Sequence, residues 1–479
     1  MGDLAFMPAV ELRRLYRAGK TSPLEVMQAL LARIDAVNPK VNAVVTLVRE
    51  PALAEARRAT AALRRGAANA SLFGIPVGIK DVTPTRGIRT TYGSTLFADH
   101  VPQEDALVVA RLRDAGAIVI GKTNTPEFAF GPNTVNAVFG ATRNPWNLAL
   151  TAGGSSGGSA AALATGMCPL AEGTDLGGSL RGPASYCGVV GFRTSPGLVP
   201  RYPSTLAWDT YSVEGPMART VADTALMLSV MAGPDDRAPI SYPVDPREFL
   251  KAVRAPSVKG WRIASSPDLG GLVLVDHEVR RVFERAVAVF RALGARTERA
   301  CPDMSALPEV VRLSRGLLMV ARHAEKLPRH REVLQQGLVE NTEQGLGLSS
   351  RDVARGELLR TRLWQGVREF LGRRDLLLTP TSAVPPFSLE QPHVLEVNGQ
   401  PVGKTMQRSY LTYAFSVLGL PAISIPCGFT RAGLPVGLQI VGKWRGEAAV
   451  LRAAAAFEAA RPWAHRVPPV VEPQPPEDS

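Results

Sequence analysis

Apolar residues recur at helical spacing near the start of the chain. Leu12 and Leu15, then Val26, Leu30, Leu31 and Ile34, predict two helices over residues 8–37. Ser22-Pro23-Leu24-Glu25 supplies the start signal of the second, a serine cap followed by proline in the first turn and an acid three residues on. Residues 50–66, alanine-rich and charged on one side, predict a third helix, so 1–66 reads as a helical cover over a sheet. The period then changes. Residues 75–79 form a short apolar run ending at Lys80, and residues 118–120 form another, with Lys122 just past its end and a helix over 106–112 between them. Amphipathic helical spacing returns over 311–370, followed by buried strands at 376–381 and 435–442 that flank a helix at 410–418.

Strands that return so late favour one large α/β body spanning 1–479, with one sheet assembled from distant segments. Its expected parts are a core segment at 70–235, a mainly helical region at 240–370 beside the pocket, and an extended Pro-rich tail at 467–479. A chain that is 45% hydrophobic can bury a core of that size.

The net charge of +12 raises the question of nucleic acid, but the basic residues are scattered among Glu and Ala in helical patterns and accompany no nucleic-acid-binding motif. No nucleic-acid partner is expected. Cys168, Cys187, Cys301 and Cys427 form no Cys-x-x-Cys pair and read as buried thiols of a reduced protein. His323 and His330 could share a helix face, yet no carboxylate or cysteine completes a ligand set, so neither metal nor cofactor is implied. No uncharged apolar run reaches membrane-spanning length, and the N-terminus lacks the pattern of a signal peptide. A cytoplasmic protein, monomer or homodimer, is the expectation.

The chemistry concentrates in two glycine-rich hydroxyl clusters, Gly153-Gly154-Ser155-Ser156-Gly157-Gly158-Ser159 and Gly173-Thr174-Asp175-Leu176-Gly177-Gly178-Ser179. A serine nucleophile needs a base. Lysine serves only where burial lowers its pKa enough to leave the amine neutral. Lys80 is the candidate, since the chain uses nine lysines against 46 arginines and this one ends an apolar run; the competing reading is a strand-end lysine reaching water. A phosphate-binding loop is the alternative for the first cluster, but Gly-Lys-[Ser/Thr] is missing. Consecutive N–H groups at Gly177-Gly178-Ser179 are suited to stabilise an oxyanion. Asp175 and Arg181 flank them as residues that fix the loop, with Thr174 and Ser185 as backbone-bonded hydroxyls.

Together with Gly74-Ile75-Pro76-Val77-Gly78-Ile79-Lys80-Asp81 upstream, these motifs resemble the amidase signature family in order and spacing. Related stretches at 121–124, 214–223 and 419–422 extend the likeness over most of the chain, and 240–370 carries least of it. The resemblance implies an α/β fold built on a large mixed twisted sheet with helices on both sides. It implies a catalytic set of Lys80, Ser155 and Ser179, an oxyanion hole from Leu176, Gly177, Gly178 and Ser179, and support from Gly154, Ser156, Thr174, Asp175 and Arg181. It also implies a cis bond at Gly154-Ser155 and hydrolysis of a small-molecule amide. Aryl carbamates, anilides and esters are alternative substrates, and the glutaminase subunit of a tRNA-dependent amidotransferase is an alternative role. The stretch after Pro200 lacks that subunit's serine-leucine-aspartate pattern.

Phe128, Phe130, Tyr202, Trp208 and Tyr211 lie on stretches flanking the core; Phe128, Tyr202 and Trp208 are the expected pocket aromatics, favouring a broad-specificity amidase that cleaves small aryl or aliphatic amides through a serine acyl-enzyme. Arg143, Arg181 and Arg360 are the candidates for binding a carboxylate.

Overall fold

The computed structural model describes residues 3–66, 69–391, 393–402 and 409–471. Its centre is an eleven-stranded sheet. In chain order the strands are β1 (Val44–Leu47), β2 (Pro76–Lys80), β3 (Ile118–Thr123), β4 (Leu170–Asp175), β5 (Val190–Arg193), β6 (Val213–Ala218), β7 (Arg262–Ser265), β8 (Arg296–Arg299), β9 (Leu376–Pro380), β10 (Ala422–Phe429) and β11 (Pro435–Val441). Their spatial order is β1-β3-β2-β4-β6-β5-β10-β11-β9-β7-β8. The sheet is mixed: β3-β2-β4 and β9-β7-β8 are parallel, and the remaining pairs are antiparallel. A large mixed sheet of this kind is what the resemblance implies.

Strands such as β2, β3 and β9 are buried along their whole length, which is why they read as apolar runs rather than as alternating patterns. Helices Pro23–Val41, Gly157–Ala164, Val221–Met231 and Glu447–Ala460 contribute to one continuous core with the sheet. Ser22 and Glu25 cap Pro23–Val41 reciprocally; the helix runs beyond the expected end at 37 to Val41, where Asn42 turns left-handed.

Three boundaries differ from the sequence reading. The stretch 1–66 is not wholly helical, because β1 sits between its second and third helices and pairs with β3. Residues 240–370 supply helices Leu307–His323, Gln336–Leu346 and Ser350–Gly372, but also strands β7 and β8 at one edge of the sheet. Lys122 lies within β3 instead of beyond it. Of the expected tail, Pro469–Val471 forms a single turn and 472–479 lie outside the described residues. Among the described residues no helix is long and apolar enough to cross a membrane, and no cluster of His, Cys, Asp or Glu could hold a metal ion.

Candidate active site

Parallel pairing of β2 with β4 brings the ends of both strands together, Lys80 closing one and Asp175 the other. Lys80 is fully buried, and its Nζ lies 2.6 Å from Ser155 Oγ, 2.9 Å from Ser156 Oγ and 2.8 Å from Thr174 Oγ1. Burial pushes the amine down from 10.5 to about 7, against the opposing pull of Glu172 and Asp175. The reading in which Lys80 reaches water is therefore overturned.

Hydrogen counting defines what this amine can do. Ser156 Oγ gives its proton to the Thr174 carbonyl and receives the Thr174 N–H, so it accepts from Lys80. A neutral amine has two N–H groups and one lone pair. Ser156 and Thr174 can take the former, and the Ser155 hydroxyl can donate into the latter. The bond between Gly154 and Ser155 is cis, and Gly153–Ser155 and Thr174–Ser179 all line a cavity of about 540 Å³.

Beneath the second cluster sits a buried ion-pair network. Asp175 accepts from Arg181 Nε and Nη2 and from Arg193 Nη1, and all three side chains are fully buried. Burial alone would raise the Asp175 carboxyl, but the two guanidiniums hold it far below its usual range. Asp175 also receives the N–H of Gly178 at 2.9 Å and of Leu180 at 3.2 Å. The Gly178 N–H, one of the expected oxyanion donors, is thus engaged by a carboxylate in this structure. Among the described groups none accepts from the N–H of Leu176, Gly177 or Ser179. Gly177 and Gly178 are required by contact: a Cβ on Gly177 would overlap the Tyr413 ring, and one on Gly178, at φ +120°, would overlap the Thr412 side chain.

Arg181 reaches Thr412, Ser416 and Gln439 and contributes nothing to the cavity surface. Arg143 is bonded to the Leu148 carbonyl, and Arg360 to Val417 and Thr210 while lying over Tyr211; neither lines the cavity. None of the three nominated arginines is thus placed to bind substrate. Lys122 anchors the loop over residues 83–90 through Thr83, Thr85 and Thr90.

Of the expected pocket aromatics, Phe128 lines the cavity with Phe130, but Tyr202 and Trp208 do not. Asp209 ties their loop to Arg201 and Arg322, leaving Tyr202 against Arg237 and Trp208 75% exposed. Sequence reasoning missed Tyr186, Phe387 and Tyr413 on the apolar walls, and Arg201, Glu214, Arg315, Arg322, His323 and Asn341 on the polar ones. Burial pushes His323 down to about 3, helped by Lys326 and Arg322, so its imidazole is neutral beside Phe128.

A family model described as Amidase matches residues 25–451. The chain belongs to the amidase signature family of amide-hydrolysing enzymes. An acylamidase of Rhodococcus erythropolis is 38% identical over 468 residues, covering 97% of this chain and 98% of that one. A glutamyl-tRNA(Gln) amidotransferase subunit from Syntrophus aciditrophicus is 34% identical over 477 residues, covering 94% and 96%. Among solved structures, a bacterial aryl acylamidase belonging to the amidase signature enzymes superposes with a TM-score of 0.88 at 30% identity, covering 96% and 97%.

Proposed function

We propose that the protein is a free-standing amidase in which Ser179 attacks the amide carbonyl, Ser155 passes the Ser179 proton to neutral Lys80, and an acyl-enzyme forms. The observation that carries this reading is the 2.6 Å contact between Ser155 and a lysine amine whose burial favours its neutral form. As the tetrahedral intermediate collapses, the proton returns from Lys80 through Ser155 to the leaving nitrogen, and the C–N bond breaks. Water then attacks the Ser179 ester by the same proton path and releases the acid. Leu176, Gly177 and Ser179 N–H groups receive the developing oxyanion, and Asp175, by engaging Gly178 and Arg181, holds the loop that presents them.

Phe128, Phe130, Met319, Val384 and Phe387 on the cavity wall support a small amide with an apolar aryl or aliphatic portion. Anilides, esters and aryl carbamates present a carbonyl to the same nucleophile. The likeness to the acylamidase and to the aryl acylamidase structure favours direct hydrolysis, as does the sequence after Pro200. Kinetics of the purified chain alone on benzamide, an acyl anilide and an aryl carbamate test the proposal. Turnover without partner subunits is expected. Activity that appears only with partner subunits and charged tRNA would assign the amidotransferase role instead.

A further inference from the structure

Among the described residues three guanidiniums border the cavity, and their electrostatic situations differ. Arg322 is paired with Asp209, and Arg201 lies 3.5 Å from Asp209 and 3.7 Å from Glu214. Arg315, on helix Leu307–His323, has no carboxylate within 4.0 Å among the described residues. Its described partners are neutral: Nε donates to Asn341 Oδ1 at 3.0 Å, Nη1 donates to the Tyr413 hydroxyl, and the guanidinium lies over the Phe130 ring at 4.9 Å. Asn341 is oriented by its own Nδ2, which donates to the Gly337 carbonyl at 2.9 Å and so turns Oδ1 toward the arginine. Three helices thus fix this side chain in place without neutralising it.

Two donor atoms there have no described acceptor for any of their hydrogens. Tyr413 Oη accepts from Nη1, so its own proton has no described acceptor, and Nη2 of Arg315 has none either. The hydroxyl-bearing end of the Tyr413 ring packs where a Cβ on Gly177 would stand, which puts this donor pair directly beside the proposed oxyanion loop. A planar guanidinium edge beside a phenol O–H matches the two oxygens of a carboxylate.

We infer that Arg315 and Tyr413 form an anionic subsite, and that the preferred amides carry a carboxylate on the portion extending past Phe130. The inference rests on the hydrolase reading above for the position of the scissile bond, but not for the existence of the subsite.

The test compares the para-nitroanilide of glutaric acid with its isostere in which the carboxylate is an isopropyl group. A second pair carries the carboxylate on the aniline ring and distinguishes the acyl side from the amine side. In the wild type one carboxylate-bearing substrate should exceed its neutral isostere at least tenfold in kcat/KM. Arg315→Gln should collapse that ratio, and Arg315→Lys should retain part of it. Equal specificity constants in the wild type for both pairs, or a ratio unchanged in Arg315→Gln, would overturn the inference. Equal losses on charged and neutral substrates would reduce Arg315 to a support for Tyr413 and also overturn it. Calorimetric binding of the same pairs to Ser179→Ala removes the dependence on turnover and on the folding of the Arg315 variants. Preferential binding of a carboxylate there, with no amide turned over by the wild type, would uphold the subsite and sink the hydrolase reading. Equal binding would sink the subsite alone.

Discussion

Lys80 Nζ and Ser155 Oγ stand 2.6 Å apart in a site where the other two hydrogen-bond partners of the amine are also hydroxyls. Among the described residues no carboxylate touches the nitrogen directly, so burial dominates and carries the amine down to about 7. The proposed base works only when neutral. The kcat/KM of an uncharged amide should therefore fall about tenfold per pH unit below about 7 and level off above it, as measured in a pH–rate profile. Lys80→Arg should not restore the activity lost in Lys80→Met, because a guanidinium stays protonated.

Removing the relay hydroxyl in Ser155→Ala should lower kcat by about 10²–10⁴, the usual range for general acid–base assistance. Ser156→Ala should cost less, since Ser156 donates to the Thr174 carbonyl and only orients Lys80. Single-turnover kinetics on an activated anilide separate the two.

Gly177→Ala drives a methyl group against the Tyr413 ring, so the loop must shift and its N–H groups lose their aim. Loss of one oxyanion donor corresponds to about 10²–10³ in kcat. The paired variant Gly177→Ala/Tyr413→Ala relieves the contact and should regain part of the rate.

Asp175→Asn leaves Arg181 and Arg193 buried without their carboxylate, and should destabilise the fold by about 3–5 kcal/mol in urea titrations. The sign with pH follows from the depressed carboxyl: its contribution is present above the unfolded carboxylate range and is lost only as pH falls toward the lower folded value. Acid titration of stability in the wild type and Asp175→Asn should therefore converge at the lowest pH values.

What was legible in the sequence is what is local in the chain. Lys80, Ser155 and Ser179 sit in glycine-rich stretches whose composition reports close backbone approach, and the buried strands β2, β3 and β9 announce themselves as apolar runs. Edge strands do not: β8 reads Arg-Thr-Glu-Arg and carries no apolar alternation because it lies at the border of the sheet. Nearness in sequence misled for Trp208, whose loop is turned outward by the pairing of Asp209 with an arginine more than a hundred residues away. Arg315 and Tyr413 were invisible for the same reason, since only tertiary packing of their two helices brings guanidinium and phenol together. Gly178 shows the limit within a motif: its N–H is spent on Asp175 three residues earlier, a choice composition does not encode.

The central claim is that the acyl group is carried by Ser179. Reaction with a fluorophosphonate, or acid quenching during turnover of a slow aryl ester, followed by mass mapping of the modified peptide, tests it most directly. Modification at Ser179 is predicted, with none in Ser179→Ala and greatly slowed modification at the same residue in Lys80→Met. Modification at Ser155 or Ser156, or wild-type turnover by Ser179→Ala, would contradict it.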